Sequence, residues 1–299
     1  PTALHHPSMP RPLLSEALRG HGAVLRDKDG ERFVDELLPR DLVSRAVTAV
    51  MQEQGLDHVW LDATGLEDFS VRFPTIAARL VSLGLDPAVD LLPVAPAAHH
   101  QCGGILTDLD GATSMAGLWA AGETTCTGVH GGNRLASNSL LEGMVFGARV
   151  VDAIASGAVP EPGASKPTGA MRSLTAADEQ IGGERLGTLD EILGSIPRTT
   201  ILRAPLSATE ARLELQRVMT REAGVLRSAE SLERATRGLA DLLGRTEGSV
   251  VEVAEVENLL HVGIALLAAA AARTETRGAH ARTDFPDADS QLVRRMVIG

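Results

Sequence analysis

Between residues 39 and 54, apolar side chains at Leu42, Ala46, Ala49 and Val50 recur at spacings of four, three and one. Pro39 precedes this run and Gly55 follows it, so the spacing predicts one helix with a start and a stop. Val59-Trp60-Leu61-Asp62 predicts a short strand, and Phe73-Pro74 opens a second helix through Leu83, stopped by Gly84. Upstream, Leu13 to Leu25 mixes a short helical pattern with Gly20 and Gly22, and Arg26 to Gly30 reads as a polar turn leading into a hairpin or loop. The segment Asp90 to Pro96 that follows the second helix is punctuated by prolines.

From Gly103 to Gly147 glycines and turn residues alternate with short apolar runs, a texture in which the backbone matters more than the side chains. Asn138 to Ala155 then carries Leu140, Leu141, Val145, Ala148 and Val151 on one helical face, expected to pack on a sheet. Val159 to Thr168, with Pro160, Pro162, Gly163, Ser165 and Pro167, has the composition of a linker. The last third is helical in pattern. Ser207 with Glu210 makes a capping box, after which Leu215, Met219, Ala223 and Leu226 line one face. Leu232, Ala235, Leu239 and Leu242 line a second helix, and Val256, Leu260, Ile264, Leu267 and Ala271 a third, for which an antiparallel three-helix packing is economical.

Composition narrows the classes. The 299 residues, 44% of them hydrophobic, allow about two domains with a real core. A net charge of −11, from 28 basic and 39 acidic residues, disfavours nucleic acid or an anionic membrane as the main partner. The apolar stretch Leu259 to Ala272 is interrupted by His261 and falls short of a membrane span. Cys102 and Cys126 form no disulfide framework, which fits a reducing, cytoplasmic setting. Pro1 is neither an initiator Met nor part of a signal peptide, so the chain reads as cut from a longer one.

No GxGxxG follows a predicted strand, so any dinucleotide pyrophosphate site lies outside this chain. His99-His100-Gln101-Cys102 lacks the paired ligands of a structural zinc site, and no metal is expected. What remains is a scattered polar set: Ser15-Glu16, Arg19, Arg40-Asp41, His99, His130, Asn133-Arg134 and Ser137-Asn138-Ser139. Arginines beside Pro or Gly-rich turns suit carboxylate capture, and a helix opening at Ser and Asn offers backbone N–H groups to an electron-rich ligand. Taken singly, each has a structural alternative: Ser139 a cap, His99 a core histidine, Arg40 an ion-pair partner of Asp41, Glu16 a solvated charge.

The combined string says more. His99-His100-Gln101-Cys102-Gly103-Gly104-Ile105, Gly117-Leu118-Trp119-Ala120-Ala121-Gly122-Glu123 and Gly128-Val129-His130-Gly131-Gly132-Asn133-Arg134-Leu135-Ala136-Ser137-Asn138-Ser139-Leu140-Leu141-Glu142 resemble the flavoprotein family of succinate dehydrogenase, fumarate reductase and L-aspartate oxidase. The Cys-Gly-Gly and Ala-Ser-Asn-Ser-Leu-Leu-Glu runs are most similar to its L-aspartate oxidase members. Leu14 to Gly20, Leu38 to Asp41 and Arg273 to His280 agree, so the resemblance covers almost the whole chain.

The resemblance implies an α/β fold: a capping (substrate) domain over 1–100, the second segment of an FAD-binding domain over 101–165, then a linker and C-terminal helical domain over 166–299, a three-helix bundle. It implies that Ser15, His99 and Arg134 bind the substrate carboxylates with Glu16 nearby, and that Arg40 transfers a proton. Glu123 would hold the FAD ribose, and Asn138, Ser139 and Leu140 would meet the flavin edge. The implied reaction is FAD-dependent oxidation of L-aspartate to iminoaspartate with O2 or fumarate as acceptor. Its product would feed quinolinate and NAD synthesis, with quinolinate synthase as a partner. A respiratory fumarate reductase or succinate dehydrogenase subunit, or a fragment that has kept the fold without the chemistry, are the alternatives. The chain departs from the family pattern at His21, usually Glu, at Gly132, usually Ala, and in a short Phe33–Leu38 loop.

Overall fold

The computed structural model describes residues 2–7, 11–158, 184–197 and 204–298. The expected linker at Val159–Thr168 lies outside the described residues. The chain divides into two compact units, Pro1–His100 and Gln101–Gly299.

The first unit is a five-stranded antiparallel sheet with helices on one face. Its strands are β1 (Thr2–Leu4), β2 (Leu13–Leu14), β3 (Val24–Arg26), β4 (Val59–Asp62) and β5 (Leu92–Pro96), in the order β2-β1-β5-β4-β3. Helix α1 (Glu16–Gly20) joins β2 to β3, and α2 (Arg40–Gln54), α3 (Phe69–Arg72) and α4 (Pro74–Ser82) flank β4 in sequence. Helix α2 ends as its sequence dictates, at Gly55 in the left-handed conformation with φ 66°, where a side chain would be strained. Alternation does the rest: Leu4, Val59, Leu61, Leu92 and Val94 point inward at 0% exposure and pack on Val43 and Val47 of α2 and Ala77 and Leu80 of α4.

Strand β5 runs through the proline-punctuated segment Asp90–Pro96. It is the central strand, paired with β1 through Leu4↔Val94 and with β4 through Val59↔Val94 and Trp60↔Pro93. Proline has no N–H to donate, but its carbonyl still serves the ladder: Pro93 accepts from His5 N–H at 2.8 Å.

In the second unit, β6 (Ile105–Leu106) pairs in parallel with β7 (Thr125–Cys126). Their closeness demands glycine at 104, where a Cβ would lie 2.2 Å from the Thr124 carbonyl oxygen. Helix α5 (Asn138–Ala155) follows. It buries Glu142 and Phe146 and leaves Leu140, Leu141, Val145 and Val151 between 49% and 70% exposed. The apolar face expected to pack on a sheet is therefore largely exposed among the described residues.

Helices α6 (Leu189–Ser195), α7 (Ala208–Glu222), α8 (Ala229–Ala240) and α9 (Val250–Ala272) each start at a capping box, at Thr188/Glu191, Ser207/Glu210, Ser228/Ser231 and Ser249/Glu252. Ala211, Leu215 and Val218, Leu232, Ala235 and Leu239, and Val256, Leu260, Ile264 and Leu267 share one buried core. Helix α7 stops at Glu222, so Leu226 lies beyond it, in a two-residue strand paired with Ala281–Arg282. Helix α9 corrects the membrane-length expectation: it has 23 residues and a mean hydropathy of 1.5 in its most apolar window, enough by length and composition to cross a membrane. The stretch Leu259–Ala272 omitted its first, valine-rich turns, and its Val256–Leu267 face is core.

Candidate functional site

The ends of α1 and α2 build the polar centre of the first unit. Ser15 caps α1, its hydroxyl accepting from Ala17 N–H at 3.2 Å, and places Glu16 in the first turn. Arg40 is the first residue of α2, directly after Pro39. Its Nε pairs with the Glu16 carboxylate, and its Nη1 lies 3.4 Å from His99 Nε2. Three residues far apart in sequence thus converge, with Arg40 mostly buried. Asp41, the alternative partner, pairs instead with Arg45 one turn along, at 3.1 Å.

Arg19 stands behind them. It is 4% exposed, and its Nε and Nη1 have no hydrogen-bond partner among the described residues. Burial pulls its pKa below the ordinary arginine value, with Glu16 and Glu36 opposing and Arg40 adding to the shift. In the sequence it stood in the scattered polar set and within the family-like segment Leu14–Gly20, but its burial could not be read there. The short loop before Arg40 is closed by Glu36, 3% exposed, which accepts from Leu25 N–H at 2.8 Å and pairs with Arg32. His21, the departure from the family pattern, bonds back to Ala17 O at 2.8 Å and meets Phe73 edge-on.

The second unit holds the remaining expected residues. Glu123 sits in a 3-10 turn, Gly122–Thr124, and accepts from Gln101 N–H at 2.9 Å. Arg134 Nη1 donates to Leu135 O at 3.3 Å. The Cys102 thiol is pushed up chiefly by burial, while the Arg134 backbone N–H and guanidinium act against the shift. Ser137 adopts a left-handed conformation, φ 63°, and its side chain makes no cap bond, so α5 opens with Asn138, Ser139 and Leu140 presented by backbone geometry. Asn138 N–H donates to Leu135 O and Leu140 N–H to Ser137 O, both at 3.1 Å.

His130 has a structural role here. Its Nε2 lies 2.7 Å from Glu142 Oε2, and Thr127 donates to the other carboxylate oxygen at 2.5 Å, inside a largely buried cluster. This network anchors the loop that leads to Arg134. No metal was expected, and among the described residues His5, Asp57 and His58 bring three ligand atoms within 4.8 Å of one another.

These arrangements match a known class. The FAD binding domain family matches residues 1–140, and the fumarate reductase flavoprotein C-terminal family matches 212–297. The chain belongs to the succinate dehydrogenase and fumarate reductase flavoprotein family. Among curated proteins it is similar to the L-aspartate oxidases of Streptomyces coelicolor, 44% identical over 96% of this chain and 49% of that protein, and Mycobacterium leprae, 39% over 96% and 49%. That of Xylella fastidiosa is 41% identical over 99% and 50%. The chain spans about half the length of these relatives. Among solved structures it resembles a quinol-fumarate reductase determined with menaquinol molecules, with TM-score 0.72 and 28% identity over 97% of this chain and 55% of that one. Mycobacterium smegmatis Sdh1 in complex with UQ1 gives TM-score 0.65 and 30% identity over 98% and 50%.

FAD is the cofactor of this class, and the second unit offers suitable groups. An α5 N-terminus opened by a left-handed Ser137, rather than closed by a side-chain cap, leaves backbone dipoles for an electron-rich ring edge. The Glu123 carboxylate has the acceptor chemistry a ribose hydroxyl needs.

Proposed function

We propose that the protein is an FAD-dependent L-aspartate oxidase, oxidising L-aspartate to iminoaspartate with O2 or fumarate as acceptor. The observation that carries this reading is the convergence of Glu16, Arg40 and His99 on one polar centre, in a chain 37–44% identical to L-aspartate oxidases. In this reading residues 1–100 are the capping domain, 101–165 the second FAD segment, and 166–299 a linker and a three-helix C-terminal domain.

Ser15, His99 and Arg134 bind the two substrate carboxylates, with Glu16 beside them. Charge-assisted, bidentate contacts fix the substrate so that the hydrogen on its amine-bearing carbon is aimed correctly, and positioning supplies much of the rate. FAD, when bound, would supply the hydride-accepting chemistry. Glu123 would hold the ribose, and Asn138, Ser139 and Leu140 the flavin edge. In fumarate reduction Arg40 delivers a proton to the substrate carbon, with Glu16 held against its Nε as the acidic neighbour such a role requires. Quinolinate synthase would consume the iminoaspartate, in the cytoplasm.

The likeness to a quinol-fumarate reductase supports a second reading, a fumarate reductase or succinate dehydrogenase flavoprotein. Anaerobic mixing of the flavin-loaded full-length protein with L-aspartate separates the two. Bleaching of the flavin band by aspartate is expected; rapid bleaching by succinate and none by aspartate would overturn the proposal.

A further inference from the structure

The outer face of the first unit's sheet carries a cluster that the proposed chemistry does not use. Alternation sends Leu4, Val59 and Val94 into the core, so His5, His58 and Ala95, each next to one of them, fall on the opposite face. In register His5 stands opposite Pro93 and His58 opposite Ala95, so the two histidines are diagonal neighbours across β5. The imidazoles stack with ring centroids 5.1 Å apart and planes within 15° of parallel. Asp57 precedes His58 and reaches both rings: Oδ1 lies 2.6 Å from His58 Nδ1, and Oδ2 lies 3.3 Å from His5 Nε2. Trp60 also meets His58 edge-on, with ring centroids 4.8 Å apart.

We propose that His5, Asp57 and His58 form a binding site for a divalent transition-metal ion that ties β1 to the start of β4 across β5. Two imidazole nitrogens and one carboxylate oxygen are the donor set of zinc, cobalt or nickel rather than of magnesium or calcium, which prefer oxygen alone. A tetrahedral ion with bonds of about 2.0–2.1 Å holds its donors roughly 3.3 Å apart. The three donor atoms already lie within 4.8 Å of one another, and the Asp57 side chain, 73% exposed, is free to swing. That exposure also leaves a coordination position open to water or an exogenous ligand.

The test uses the untagged 299-residue chain after chelator treatment, titrated with ZnCl2 by calorimetry at pH 7.5 and with CoCl2 in the visible spectrum. One zinc equivalent and a cobalt d–d band are expected, together with a rise in the parent's Tm on adding zinc. His58→Ala and Asp57→Asn should each weaken zinc at least about tenfold and abolish the Tm rise, while His261→Asn, on α9, keeps both. Circular dichroism of each variant confirms folding. Absence of zinc binding by the folded parent, or zinc affinity that survives in both His58→Ala and Asp57→Asn, would overturn the proposal.

Discussion

Ala279 donates its backbone N–H to the carbonyl of Gly132 at 2.9 Å, joining a turn near the C-terminus to the loop that carries Arg134. The turn Arg277–His280 is held by Glu275, fully buried, which takes Arg273 and Arg277 on its two oxygens and accepts from Asp289 N–H at 2.8 Å. Contact is so close that a Cβ at Gly278 would lie 2.3 Å from Gly132 O, at a φ of +56° that side chains rarely adopt. Gly278→Ala should therefore cost about 2 kcal/mol or more and displace the Arg134 loop. A thermal melt of the chain reads the first effect. In the full-length enzyme KM for L-aspartate should rise more than kcat falls, and an unchanged Tm and KM would refute the coupling.

The same loop is anchored on its other side by Glu142. Its carboxylate is about 5% exposed and satisfies Thr127 and His130 together. Glu142→Gln replaces the carboxylate with a neutral amide, so the bonds to Thr127 and His130 lose their charge assistance and one partner must reorient to accept from the new NH2. A loss of about 1.5–3 kcal/mol in denaturant unfolding is expected, with Glu142→Gln, Thr127→Val less than additive.

His280 carries a pH dependence whose sign follows from its partners. Its Nδ1 faces Arg227 Nη1 at 3.1 Å as an acceptor, and its Nε2 donates to Arg273 O at 3.1 Å, so the neutral ring is the one that fits. Burial, with Arg227, Arg273 and Arg282 around it, pushes its pKa from 6.5 down to about 4. The unfolded chain then binds the proton first. The contribution of His280 to stability is complete above about pH 6.5 and is lost as pH falls toward 4. Melting the chain between pH 7.5 and 4.5 should show a drop that His280→Gln flattens; a parallel profile would show that other groups set it.

What could be read from sequence was local. The Ser207/Glu210 box and Gly55 announce their helix ends because the bonds they make lie within four residues. Strand β5 escaped because Pro93 and Pro96 punctuate it, and its identity depends on β1 and β4, which sandwich it from distant parts of the chain. The candidate residues Glu16, Arg40 and His99 were legible as residue types in a family pattern, but their convergence is set by two helix N-termini and the end of a sheet. Arg19 and the His5/Asp57/His58 cluster have no local signature, since burial and juxtaposition belong to the folded sheet.

Arg134 and Arg40 have different assigned jobs, and kinetics can tell them apart. Arg134→Leu in the full-length enzyme removes a charge-assisted carboxylate contact worth about 1.5–3 kcal/mol, so KM for L-aspartate should rise roughly tenfold to a hundredfold with a smaller change in kcat. Arg40 is held between the Glu16 carboxylate and His99 Nε2. Arg40→Lys keeps the charge but loses the planar fork that touches both groups at once, so kcat for fumarate reduction should fall far more than dicarboxylate affinity. If Arg40 served only to hold α1 against α2, the same variant would lower Tm and leave kcat per flavin nearly unchanged. Flavin-normalised turnover and inhibitor affinity, measured beside thermal melts, separate the two roles, and near-parental kcat in Arg40→Lys would remove Arg40 from the mechanism.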